Sequence, residues 1–202
     1  MRSLHTQTKG FTLVETIVVI ALFSILTFTI SQSIASFYRL NAYTIAQAYQ
    51  VDTARRGVEQ LVRDLREMTF ADDGTFPLVS MGTTSIAFFS DIDRDDSVEY
   101  VTYTLQGTTL VKKVYNATGS PPMYNLTTPQ ETQTLSEYVQ NALQATPIFV
   151  YYDADGNPAT AASTVTDIRY ISLSIIVNID PIRDPGEYML RSSAALRNLS
   201  QI

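Results

Sequence analysis

The chain has 202 residues, 14 basic against 20 acidic side chains and a net charge of −6. Cysteine is absent and His5 is the single histidine, so a disulfide framework, a thiolate metal site and a thiol nucleophile are excluded, and histidine-based acid–base chemistry has almost nothing to draw on. The acidic balance gives no bulk attraction for nucleic acid or anionic lipid. No G-x-S-x-G, P-loop or G-x-G-x-x-G occurs, and together these exclusions point away from an enzyme.

The N-terminal segment is the most informative part. Lys9-Gly10-Phe11-Thr12-Leu13-Val14-Glu15 leads into an uncharged apolar run beginning Thr16-Ile17-Val18-Val19-Ile20-Ala21-Leu22-Phe23. A charge near the middle of a bilayer helix costs roughly 2.5–3.5 kcal/mol on insertion scales, so an acid there needs a named partner. No proline occurs before Pro77, and Gly57 is the only glycine between Phe11 and Met68. One long helix of about 85 Å is therefore expected, at about 1.5 Å per residue, with its first 20 or so residues spanning the bilayer. The basic residues Arg2 and Lys9 lie ahead of the apolar run, which orients the N-terminus to the cytoplasm and places everything from about residue 36 outside.

The run Gly-Phe-Thr-Leu-Val-Glu behind a short basic leader resembles the type IV prepilin processing signal. The resemblance implies that a prepilin peptidase cuts after Gly10 and N-methylates Phe11. It also implies that Glu15 pairs with the α-amine of Phe11 on a neighbouring subunit of a helical filament. Two charges in a low-dielectric core are tolerable mainly when they face each other, so the physics agrees. Loss of residues 1–10 would remove Arg2 and Lys9 and carry the net charge from −6 to −8. Two other readings stay open at this point: an ordinary signal anchor with Glu15 snorkelling to the interface, and a secretory signal cut after Ala35, with small residues at Ser33 and Ala35.

Past the membrane the helix gains an apolar stripe of Val51, Ala54, Val58, Leu61, Val62, Leu65 and Met68, spaced by threes and fours. Asp52–Arg56, Glu59–Arg63 and Arg63–Glu67 are expected as i, i+4 pairs. Gly57 costs up to about 1 kcal/mol relative to alanine, through either close packing or simple tolerance. From Ala71 the pattern turns to strands at Ser85–Ser90, Val98–Leu105 and Thr108–Tyr115, with a hairpin turn at Leu105-Gln106-Gly107-Thr108. Residues 116–134 read as a long connection. Thr128-Pro129-Gln130-Glu131 reads as a capping box opening a short helix toward Leu143. Pro147–Tyr152 is expected as a strand that turns at Asp153–Asn157. Ile168–Ile179 and Glu187–Leu199 are expected as a terminal antiparallel hairpin about Asp184-Pro185-Gly186.

The fold class is therefore α+β: residues 1–10 a leader, 11–34 a membrane-spanning assembly helix, 35–68 its outer half, and 69–202 an antiparallel β-rich domain. The segments Phe89–Asp93, Tyr100–Tyr103, Lys112-Lys113, Phe149–Gly156 and Arg191–Asn198 are similar to the larger minor pilins and pseudopilins of the J and W types. That likeness implies a non-enzymatic, low-copy subunit near a filament tip. Its partners would be the prepilin peptidase, sibling pilin or pseudopilin subunits, the inner-membrane assembly platform and the lipid bilayer. The rival is an anchored or secreted β-domain that binds a ligand through tyrosines such as Tyr151-Tyr152 or Tyr100 and Tyr103.

No cofactor is implied, with one open question. Asp91, Asp93, Asp95, Asp96 and Glu99 crowd into nine residues, and alternating carboxylates suit calcium. An EF-hand is excluded because, counting from Asp91, its glycine and terminal glutamate positions hold Asp96 and Thr102. An irregular Ca2+ loop of Asp91, Asp93, Asp95 and Glu99 and a solvated turn both remain. Asp153, Asp155 and Asn157 form a shorter acidic stretch that reads as a plain turn. The pairs Arg55-Arg56 and Lys112-Lys113 read as solvated surface. Sequons at Asn116, Asn125 and Asn198 predict nothing by themselves.

Overall fold

A computed structural model describes residues 10–95, 97–182 and 186–196. The leader up to Lys9, Asp96, the Asp184-Pro185 part of the expected turn and the Asn198 sequon lie outside the described residues. The chain forms two units, Met1–Ile45 and Ala46–Ile202, and the helix α1 (Leu13–Arg66) contributes to both.

In the first unit α1 presents apolar side chains such as Leu13, Ile17, Leu22, Phe23 and Phe28 to its surroundings on every side. A helix apolar all round suits lipid or other helices, not water. The hydroxyls along it are satisfied at home: Ser24 Oγ donates to Ile20 O at 2.8 Å and Thr29 Oγ1 to Ile25 O at 2.9 Å. Back-bonding of this kind lets polar residues reside in an apolar segment.

The second unit contains the rest of α1 and two antiparallel sheets. Strands β1 (Leu78–Met81), β2 (Ser85–Ser90), β3 (Glu99–Gln106), β4 (Thr109–Tyr115) and β7 (Glu131–Ser136) form the first sheet in the order β1-β2-β3-β4-β7. β8 (Phe149–Tyr152), β9 (Tyr170–Val177) and β10 (Tyr188–Ala195) form the second in the order β10-β9-β8. The expected sheet is thus two sheets. Between β4 and β7 the expected connection holds a small hairpin, β5 (Ala117–Thr118) with β6 (Met123–Tyr124). Ala54, Val58, Leu61, Val62, Leu65 and Met68 are all buried in one core with Phe88, Tyr103 and Leu110 of the first sheet and Leu173, Ile175 and Val177 of the second. The helical stripe expected from its spacing therefore supplies the helix side of the core.

The expected helix toward Leu143 is replaced by β7. Gln130 N–H donates to Val114 O at 2.9 Å, which draws Glu131–Ser136 into register with β4. Thr132 and Thr134 are β-branched and suit that edge, so tertiary pairing overrides the local capping signal. Of the helix ion pairs, Asp52–Arg56 forms. Glu59 pairs instead with Arg55 at 3.1 Å, Glu67 with Arg94 at 3.0 Å, and Arg63 lies 4.0 Å from Asp64. Long side chains on a helix choose among several partners of similar worth.

Amide side chains complete β9 where its neighbouring strands stop. Asn141 Oδ1 accepts from Ile176 N–H and its Nδ2 donates to Ser174 O, both at 2.8 Å. Gln47 Oε1 accepts from Ile179 N–H at 3.0 Å while its Nε2 donates to Val177 O at 3.2 Å. Buried strand backbone must be paired, and these amides stand in for a missing strand.

Candidate functional site

Gly10 lies in open space and Phe11 is 78% exposed. Thr12 precedes the first helical residue, and its carbonyl accepts the Thr16 N–H at 3.1 Å. Its Oγ1 accepts the Glu15 N–H at 3.3 Å, while a Glu15 carboxylate oxygen accepts the Thr12 N–H at 3.4 Å. This reciprocal pair is a capping box: two of the helix's orphan N–H groups are satisfied by the two side chains. The carboxylate also sits at the positive end of the helix dipole, where negative charge is favoured. Thr12-x-x-Glu15 is legible as a capping signal in the sequence, beside the two expectations for Glu15, pairing between subunits and snorkelling to the interface. Gly10, Phe11 and Glu15 are thus adjacent at the start of an exposed apolar helix.

The acidic turn between β2 and β3 is partly assembled. Ligand oxygens of Asp91, Asp93 and Glu99 lie within 4.8 Å of one another. Asp95 is turned aside, its carboxylate accepting the Ser97 N–H at 2.6 Å and hydroxyl at 2.8 Å. Glu99 is only 1% exposed. Burial, helped by the charges of Asp93 and Asp95, raises its carboxyl above the ordinary range, against the lowering effect of the bond from Ile92 N–H at 3.0 Å. Three oxygens at this separation could supply part of the six to eight that calcium takes. The second acidic stretch is a turn closed on itself: Asp153 Oδ1 accepts from Asp155 N–H at 2.9 Å and Asn157 N–H at 2.8 Å, and Gly156 takes the φ of +80° that the turn requires.

Two of the tyrosines considered as a ligand platform belong to the core. Tyr103 is fully buried, and Tyr151 is buried with its hydroxyl donating to Gly82 O at 2.9 Å. Tyr100 packs among Phe89, Tyr115 and Tyr124. Tyr152 and Tyr170 make an edge-on pair 5.7 Å apart on the second sheet.

One polar group in the core escaped the sequence reading. Lys112, expected at the surface, is buried on β4, and its Nζ donates to Asp64 Oδ2 of α1 at 2.6 Å. The same oxygen accepts the Tyr103 hydroxyl at 2.5 Å. Burial first, then the Asp64 charge and hydrogen bond, push the Tyr103 hydroxyl well above its ordinary range, so it stays a proton donor. Strand alternation was the available signal: Leu110, Lys112 and Val114 share one side of β4.

Residues 6–31 match the family described as the prokaryotic N-terminal methylation motif. The chain carries a prepilin-type N-terminal methylation segment. The matched residues include Gly10, Phe11 and Glu15 and run into a helix long and apolar enough to cross a membrane. No curated protein matches the chain. Among solved structures, a chain in the crystal structure of the GspK-GspI-GspJ complex from the type 2 secretion system of enterotoxigenic Escherichia coli is similar, with a TM-score of 0.45 and 13% identity over 73% of this chain and 97% of that one.

Proposed function

We propose that this chain is a structural, non-enzymatic minor subunit of a type IV filament machine, a pilus or a type II secretion pseudopilus. The observation that carries the reading is the methylation motif at residues 6–31 running directly into an exposed apolar helix. The precursor inserts with its N-terminus in the cytoplasm, a prepilin peptidase cuts after Gly10, and Phe11 is methylated. The helix from Phe11 to about Ile34 then leaves the bilayer for a core of sibling helices, where Glu15 meets the Phe11 amine of a neighbour. The β-rich part faces outward, and the subunit acts in filament initiation at the tip beside sibling subunits and the inner-membrane platform. The capping box supports this sequence of events, because it shelters the Glu15 carboxylate in lipid until an amine arrives. Within the same reading, the Asp91–Asp93–Glu99 cluster holds calcium, supported by convergent oxygens and a buried acid.

Intact-mass and N-terminal analysis of membrane-extracted protein tests the proposal. A chain starting at N-methylated Phe11 is expected. A start at Ser36 would make it a secreted β-domain, and an uncut Met1 a simple anchor.

A further inference from the structure

We propose that the free edge of β10 receives an extended, carboxylate-bearing segment of another protein chain, which adds as a fourth strand to the second sheet. The inference goes beyond the filament reading and does not depend on N-terminal processing.

The hydrogen-bond register locates the vacant positions. Ser174 N–H donates to Ile148 O and Ile176 N–H to Asn141 Oδ1, so the even-numbered residues of β9 turn their backbone toward the β8 side. Its odd-numbered residues, Ile171, Leu173 and Ile175, therefore bond their partners on β10, which are Ala194, Ser192 and Leu190. Alternation along an antiparallel strand then leaves the N–H and C=O groups of Met189, Arg191 and Ser193 directed away from β9. Among the described residues these backbone groups have no partner. Such a row is a template for an added strand.

The side chains beside that edge define the occupant. A groove of about 290 Å3 runs between β10 and α1, lined by Tyr188, Leu190 and Ser192 from the inward face of the strand and by Arg55, Val58 and Glu59 from the helix. A further strand laid along β10 would send alternate side chains into it, with Tyr188, Leu190 and Val58 as apolar contacts. Among the described residues no strand lies beyond β10 to cover this groove. Its lining carries two guanidinium groups, Arg55 and Arg191, against one carboxylate, Glu59. Glu59 is already held by Arg55 at 3.1 Å, whereas Arg191, also lining the groove, has only Met189 Sδ at 3.1 Å and no carboxylate among the described residues. In a chain of net charge −6, an unpaired guanidinium at a strand edge selects an incoming acid, which it grips in a fixed fork geometry.

The test uses the full chain in detergent micelles and two synthetic probes, the hexapeptide acetyl-Thr-Val-Asp-Val-Thr-Val-amide and its counterpart with lysine for aspartate. Hydrogen exchange at single-amide resolution should show the Met189, Arg191 and Ser193 amides slowed several-fold by millimolar acidic peptide. The lysine peptide should bind at least fivefold more weakly, and Arg191→Glu should invert that order. Ser193→Pro, which removes an outward N–H and leaves the bonds to β9 in place, should abolish the protection. Unchanged exchange with the acidic peptide overturns the proposal. So does equal binding of the two peptides, or protection that grows with protein concentration alone, which would mean that the edge pairs copies of this chain. If Ser193→Pro fails to fold, the inversion by Arg191→Glu decides.

Discussion

Gly57 of α1 lies against Leu135 of β7 so closely that a β-carbon at position 57 would come within 2.8 Å of the Leu135 carbonyl oxygen and 3.0 Å of its Cβ. Both neighbouring atoms sit on or next to backbone, so neither can swing aside. The close approach of the helix to the first sheet at this point accounts for a residue that weakens the helix in isolation.

Gly57→Ala is accordingly expected to destabilise the protein. Alanine improves helix propensity by up to about 1 kcal/mol, but overpacking against fixed backbone costs about 1–3 kcal/mol. A net loss in thermal or denaturant unfolding of the full chain in detergent checks this, and a gain would show that β7 can move.

The buried Lys112–Asp64 pair should behave as a coupled unit. Lys112→Met leaves the Asp64 carboxylate buried without its cation and is expected to cost about 3–5 kcal/mol. Adding Asp64→Asn to that variant should recover part of the loss, since the amide oxygen can still accept the Tyr103 hydroxyl. A double-mutant cycle by chemical denaturation reads the coupling, and additive losses would contradict it.

Glu99 gives a pH signature. Burial holds its folded carboxyl above the ordinary glutamate value of 4.5, so between 4.5 and that raised value the folded state binds more protons than the unfolded one, and stability falls as pH rises. The penalty is absent below 4.5 and complete at neutral pH. Glu99→Gln, which keeps an oxygen for the Ile92 N–H, should therefore be stabilising at pH 7 and neutral in acid. Melting curves across this range decide it.

The same variant separates calcium from simple repulsion. Under the calcium proposal, millimolar Ca2+ raises the melting temperature of the unaltered protein and not of Glu99→Gln. No shift in the unaltered protein would remove calcium from the proposal.

Glu15→Ala is expected to leave membrane insertion and cleavage largely intact while impairing incorporation into filaments. Cell fractionation with filament shearing measures both steps. Normal incorporation by that variant would contradict the pairing of Glu15 with a neighbouring amine.

Local signals were legible wherever a residue's role depends on its immediate neighbours. The unbroken helix, its apolar stripe, the β3–β4 hairpin and β9 all follow from spacing and the absence of breakers. The helix expected after Thr128 failed because its capping signal is local, whereas β7 is decided by the edge of β4 waiting for a partner. Lys112 was placed at the surface because a lysine in a short basic pair is usually solvated. Its burial depends on Asp64, 48 positions away in the chain, and on the Tyr103 hydroxyl.

By itself the amino-acid sequence determined the character of the N-terminal segment: a glycine and a phenylalanine ahead of an acid, and an apolar run with no water-compatible face. Those properties rest on covalent order and on the cost of charge in hydrocarbon, both readable along one dimension. Only the tertiary structure decided which side chains complete β9, why position 57 must be glycine, which acids of the turn converge, and that β10 keeps a free edge among the described residues. Each of these is a distance between residues far apart in sequence, fixed by packing the helix against two sheets and by the requirement that buried backbone and buried charge find partners.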